Sequence, residues 1–171
     1  DSMKVMVDRE FPVGVDRLYE ILTSKAYFEQ RFEWGKVNDY RFQAFQDTAE
    51  GLLIQIVQPI QIRTDKICSF ARRLLPSQAD LLTEFLWQAT EQPGCYQARY
   101  RFQLGSVPLK ISGNMRLSAD GEDQSIQQTQ VEITSSVPLV GKKLVDLVAP
   151  KIDDALAGDY RHTLRYVEQF A

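Results

Sequence analysis

From Leu139 to the C-terminus the chain carries one apolar stripe: Val140, Leu144, Val148, Ile152, Leu156, Tyr160, Leu164 and Val167. Steps of four drift around a helix, and Leu147, Ala155 and Thr163 widen the stripe to follow that drift. Lys142, Lys143, Asp146, Lys151, Asp154, Asp159, Arg161 and Arg165 fall mainly on the other side. About 30 residues of helix run roughly 45 Å, so this element needs an apolar surface of similar length to lie on. Pro150 removes a backbone donor from the middle of the run and predicts a kink. Gly158 is a second soft point.

The matching surface is written upstream as strands. Tyr96, Ala98, Tyr100, Phe102 and Leu104 alternate with Gln97, Arg99, Arg101 and Gln103. Leu109, Ile111, Met115 and Leu117 alternate in the same way with Lys110, Ser112, Asn114 and Arg116. "ADGED" turns the chain into a strand from Ser125 to Val137, with Val131, Ile133 and Val137 on one side. Earlier, Tyr40 to Thr48 and Leu52 to Ile62 predict two strands joined by the turn-rich "DTAEG". "LLTEFLWQ" belongs to another strand, followed by "EQPGC", where Pro93-Gly94 predicts a turn with positive φ at the glycine. Antiparallel strands of this kind present one face to a core and one to water. Something must cover the apolar face, and the C-terminal helix is the only large apolar element left.

The N-terminal third adds a strand and two helices. Met3 to Phe11 predicts the strand; Val15, Leu18, Tyr19 and Leu22 then fall at i, i+3, i+4 and i+7 of a helix. Asp16 and Glu20 come early in that helix and Lys25 near its expected end, as the macrodipole favours. A second short helix carries Tyr27, Phe28, Phe32 and Trp34. Between the strands, Ile67, Phe70, Ala71 and Leu74 predict one more short helix, ended by Pro76.

Charge narrows the partners. Twenty Lys+Arg against 23 Asp+Glu give a net charge of -3, which speaks against nucleic-acid binding. The longest uncharged run, Leu52 to Ile62, is too short to cross a bilayer as a helix. Asp146, Asp153, Asp154 and Asp159 dilute the basic face that a membrane-surface helix requires, and the spacing is not the sustained heptad of a coiled coil. No secretory signal is legible; Met3 reads as a native start preceded by two added residues, with processing of a longer precursor as the alternative. Cys68 and Cys95 read as reduced thiols, which implies a cytoplasmic protein. With no linker, repeat or composition break, residues 3–171 are expected to form one domain.

The order of these elements resembles the START-like (SRPBCC, helix-grip) superfamily. The resemblance rests on "MKVMVDREFPVGVDRLYEILTSKAYFEQRF", on the strands "GSVPLKISGNMRL" and "TQVEITSSVPLVGKKL", and on the helix that follows. It covers almost the whole chain and looks closest to a branch of uncharacterised bacterial proteins. It implies an α+β fold in which a curved antiparallel sheet wraps a long C-terminal helix, with two short helices after the first strand. It further implies a hydrophobic or amphipathic small molecule, such as a lipid, held between sheet and helix.

By face assignment the lining of that cavity is expected to be Phe85, Trp87, Tyr96, Tyr100, Phe102, Met115, Leu117, Val148, Ile152 and Leu156. Simple core filling is the competing explanation for each. Two inward tyrosines are the sharper feature, because a buried phenol needs a hydrogen-bond partner. The segment Arg63 to Pro76 is expected to cover the mouth, and Arg72-Arg73 offers charge for an acidic head.

No catalytic signature accompanies this container. His162 is the only histidine, so a histidine-based zinc site is not expected, and neither is a cofactor. There is no G-x-S-x-G, no Walker loop and no dinucleotide fingerprint. Asp153 and Asp154, adjacent on a helix, point about 100° apart and form no carboxylate pair. Glu84 is expected to face water if Phe85 and Trp87 face inward; the opposite register would bury it as a candidate acid or base. Three functions stay open: a binding or transport protein for a hydrophobic molecule, a cyclase- or dehydratase-like enzyme on an aromatic or polyketide substrate, and a protein-interaction module. The oligomeric state is not specified by any feature of the sequence.

Overall fold

In the computed structural model, which describes residues 2–62 and 69–171, the alternating segments become seven strands. The chain runs β1 (Ser2–Phe11), α1 (Val15–Leu22), α2 (Lys25–Trp34), β2 (Arg41–Thr48), β3 (Gly51–Gln61) and α3 (Ser69–Arg72). It continues through β4 (Gln78–Gln88), β5 (Cys95–Leu104), β6 (Lys110–Ala119), β7 (Ser125–Thr134) and α4 (Gly141–Phe170). The strands form one antiparallel sheet in the order β1-β7-β6-β5-β4-β3-β2. The α+β helix-grip architecture expected from the element order is the one observed.

Register carries the apolar residues onto one face. Phe85 pairs with Tyr100, Tyr100 with Gly113, and Gly113 with Val131. At Gly113 a Cβ would lie 1.8 Å from the Gln130 carbonyl oxygen, so β6 and β7 approach this closely only because no side chain intervenes. Ile54, Leu117, Val131 and Ile133 are fully buried on this face. Glu84 lies on the opposite face, where Arg101 donates to it from Nε at 3.0 Å and from Nη2 at 3.1 Å. Gly94 has φ 71° in the turn between β4 and β5, as Pro93-Gly94 predicts.

α1 buries Val15, Leu18, Ile21 and Leu22. Lys25 departs from its expected place: it opens α2 instead of closing α1. The Thr23 hydroxyl donates to the Tyr19 carbonyl at 2.7 Å and ends the first helix, and Ser24 caps the second by accepting from the Tyr27 N–H at 3.3 Å. The Lys25 ammonium is 5.5 Å from the ring centroids of both Phe42 and Phe45, which offsets its unfavourable place at a helix N-terminus.

α4 runs unbroken through Pro150, which sits at an exposed position. The carbonyl of Asp146, which Pro150 cannot bond, is therefore on the solvated side. The buried stripe is Leu144, Val145, Ala149, Ile152, Leu156, Thr163 and Val167, which takes in Val145, Ala149 and Thr163 beside the steps of four that the sequence reading followed. Tyr160 and Leu164 are only half-buried, the drift that steps of four produce. The strand expected to reach Val137 ends at Thr134; Ser135 turns away, donating to the Pro108 carbonyl at 3.1 Å. Leu139, with φ 70° and 95% exposure, leads into α4 while Val140 tucks under. Of the helix expected around Ile67, only Ser69–Arg72 is helical among the described residues; Arg63, Ile67 and Cys68 lie outside them. Among the described residues, no helix is long and apolar enough to cross a membrane.

A cavity between sheet, α2 and α4

The helical spacing of Tyr27, Phe28, Arg31 and Phe32 puts an arginine on the side of α2 that faces the sheet and α4. Burial disfavours the Arg31 charge, but the Asp159 carboxylate on α4 outweighs that and holds the guanidinium firmly protonated. Arg31 Nη2 donates to Asp159, and Nη1 donates to the Tyr27 hydroxyl at 3.2 Å. The Thr163 hydroxyl donates its proton to the Asp159 carbonyl at 2.7 Å. The 2.6 Å bond between Tyr27 and Thr163 therefore has Tyr27 as donor. Every member of the chain Arg31–Tyr27–Thr163–Asp159 is thus satisfied, and it fastens α2 to α4.

Beside this network lies a cavity of about 250 Å³. Phe28 and Phe32 of α2 wall one side, and Ile56, Phe85, Tyr100 and Phe102 of the sheet wall another. Ala155 and Gly158 of α4 complete it, and their small size is what leaves the space open. Gly35 and Ala155 are exposed, which places the opening between the end of α2 and the middle of α4. A smaller void of about 40 Å³ lies further in, bounded by Arg9, Trp87, Met115, Leu156 and Thr163 among others. Phe28, Arg31, Phe85 and Asp159 border both spaces, so the ion pair stands in the partition between them.

The polar groups on these walls are set by burial. Tyr100 is 2% exposed, and burial, reinforced by the nearby Asp159 carboxylate, raises its pKa well above the ordinary phenol value. Its hydroxyl is therefore a protonated donor at neutral pH, and it forms no hydrogen bond among the described residues. His162 lines the larger cavity; burial and the Arg31 charge lower its pKa, so it stays neutral near pH 7. Arg9 Nε and Trp87 Nε1 are buried without a partner at the inner void. Among the described residues no cluster of three His, Cys, Asp or Glu side chains is placed to hold a metal ion.

Of the residues singled out in the sequence, Phe85, Tyr100 and Phe102 line the larger cavity, and Phe85, Trp87, Met115 and Leu156 the inner void. Four lie elsewhere. Tyr96 stacks on Tyr19 at 4.0 Å and donates to Asp16 at 2.6 Å; Leu117 and Ile152 are closed into the core, and Val148 packs on its edge. Of the segment expected to cover the mouth, residues 63–68 lie outside the described residues; Arg72, Arg73, Leu74 and Leu75 are not among the wall residues of either space, and Arg72 and Arg73 are exposed. Arg9, Arg31, Asp159 and His162 were not read as wall residues. Two had a visible signal: Arg9 interrupts the apolar face Val5, Val7, Phe11, and Arg31 shares a helix face with Tyr27 and Phe28. Asp159 had none, since its neighbours on the stripe drift across it.

Residues 6–167 match a family described as "Protein of unknown function (DUF2505)". No curated protein matches the chain. Among solved structures, the chain is similar to the Zhui aromatase/cyclase from Streptomyces sp. R1128, with a TM-score of 0.68 and 8% identity over 99% of this chain and 95% of that one. It is also similar to a START superfamily protein from Mycobacterium smegmatis, with a TM-score of 0.60 and 14% identity over 98% and 99%. A third likeness is norcoclaurine synthase from Thalictrum flavum in complex with dopamine and hydroxybenzaldehyde, with a TM-score of 0.62 and 11% identity over 100% and 89%. At these identities the likeness is one of fold: the architecture is START-like.

Proposed function

The chain belongs to the DUF2505 family, whose description carries no activity; from the cavity itself we propose that it binds a hydrophobic or amphipathic small molecule between the sheet, α2 and α4. The observation that carries this reading is a space of about 250 Å³ walled mainly by aromatic and aliphatic side chains, with Arg31, Gln58, Thr83, Tyr100, Asp159 and His162 as its polar groups. A sheet and helix closed only to fill a core would use larger residues than Ala155 and Gly158 at this point. The START-like neighbours, a cyclase and a synthase holding two aromatic compounds among them, support the same reading by analogy of fold.

Native mass spectrometry of freshly purified protein, with organic extraction of whatever is bound, tests it. A small molecule retained by the wild type and absent from Ala155→Phe, which fills the opening, is the expected result. Protein that emerges clean and takes up no apolar fluorescent dye, at any concentration short of unfolding, overturns the reading.

A cyclase- or dehydratase-like enzyme is the second reading, and the ionisable groups on the wall favour keeping it. Asp159 is committed to Arg31, which leaves neutral His162 as the base open to a substrate. An extracted molecule that returns chemically altered from incubation with the protein would select it. The interaction-module reading needs a broad exposed apolar patch. The large exposed apolar side chains among the described residues, Met3, Met6, Leu139 and Phe170, come from three separate places in the chain.

A further inference from the structure

The unpartnered buried polar groups around the two spaces are all of one kind. Arg9 Nε and Trp87 Nε1 can only donate. The Tyr100 hydroxyl, on the wall of the larger cavity, is held in its protonated form by burial and makes no hydrogen bond among the described residues. A buried donor without an acceptor is costly, so the two orphans, with the Tyr100 phenol beside them on the cavity wall, define what is missing: an oxygen that accepts. The inner void, at about 40 Å³, has room for one water or for one oxygen of a larger molecule. The size of the larger space is equally restrictive. About 250 Å³ lies just below the roughly 300–1,000 Å³ usual for small-molecule sites, so the space suits a molecule of about two fused rings better than a diacyl lipid. Rings are favoured over a flexible chain because the walls are themselves rings: Phe85 stacks on Tyr100 at 4.9 Å between centroids, and Phe102 meets Tyr100 edge-on at 4.7 Å.

Building on the binding function proposed above, we infer that the ligand is a compact aromatic molecule bearing a carbonyl oxygen, as ketone or carboxylate, and that Tyr100 donates to that oxygen. The apolar body lies against Phe28, Phe32 and Phe102, and the carbonyl points toward Tyr100 and the Arg31–Asp159 partition. Because Arg31 is already neutralised by Asp159, the partition itself does not favour an acid over a ketone.

The test compares 2-acetonaphthone, 2-naphthoate and 2-ethylnaphthalene, three probes of one size of which the last has no acceptor, with oleate as a longer chain. Affinities are measured by titration calorimetry on the wild type and on Tyr100→Phe. Hydrophobic transfer alone ranks 2-ethylnaphthalene first. The inference requires the reverse: the ketone binds about ten-fold more tightly than 2-ethylnaphthalene, and Tyr100→Phe removes that advantage without changing 2-ethylnaphthalene. Equal or better binding of 2-ethylnaphthalene to the wild type overturns the acceptor requirement and leaves hydrophobic binding standing. Oleate binding where no naphthalene binds overturns the compact aromatic class and again leaves the broader function intact. Binding of none of the four overturns both. Should Tyr100→Phe fail to fold, the carbonyl ¹³C shift of labelled 2-acetonaphthone on the wild-type protein decides: a downfield shift relative to hydrocarbon solvent is expected, and an unshifted resonance overturns the inference.

Discussion

Tyr27 shows how much one buried phenol can organise. It accepts from Arg31 and donates to Thr163, and its pKa is raised, chiefly by burial, so the proton it donates stays in place. Tyr27→Phe removes both bonds at once with almost no change in shape. The expected loss is about 1–2 kcal/mol in urea unfolding, because Arg31 loses an acceptor and Thr163 a donor in a site that little water reaches. His162 supplies a pH signature. Its folded-state pKa is lowered from 6.5, first by burial and then by Arg31. As pH falls below 6.5 the unfolded chain takes up the proton before the folded protein does. Stability is therefore unaffected above that pH and declines below it until the folded pKa is passed. Urea midpoints across this window should fall in the wild type and stay flatter in His162→Gln; equal slopes would refute the assignment. Arg9 and Arg31 break apolar faces visibly in the sequence, but what each of them meets there, Asp159 above all, is not legible, for one reason. A charge on an apolar face is tolerable only with a partner on another element, and no periodicity within one element reveals that partner.

At the scale of elements, α4 combines two requirements that conflict at Gly158. Glycine inside a helix costs about 0.5–1 kcal/mol relative to alanine. A Cβ there would meet nothing closer than the end of the Arg161 side chain at 3.5 Å, so the helix has no steric need of glycine at this position. The cavity does, because Gly158 is part of its wall. Gly158→Ala should therefore raise thermal stability by roughly 0.5–1 kcal/mol and weaken ligand binding, two readouts moving in opposite directions; a variant unchanged in binding would show that the wall is not the contact surface. The strands were legible because their alternation has a period of two that a single residue hardly disturbs, as along Tyr96 to Leu104. Helix ends were less so. Lys25 looked like the close of one helix, and only the hydroxyls of Thr23 and Ser24 decide that a new one begins there.

For the molecule as a whole, the architecture followed from the order of elements and the one-sided strands, and the cavity did not. Its volume is a difference between what Phe28, Phe85 and Tyr100 fill and what Ala155 and Gly158 leave empty, and such a difference appears only once the elements are set side by side. The same topology has a temporal side. β1 has β7 as its only neighbour in the sheet, with Ser2 opposite Thr134. On a ribosome its ladder stays unpaired while β2 to β6 are synthesised, and α4, which covers the sheet, arrives later still. The nascent chain thus carries an open strand bearing Val5, Val7 and Phe11 until β7 emerges, a state that invites wrong pairings and that chaperones exist to shield.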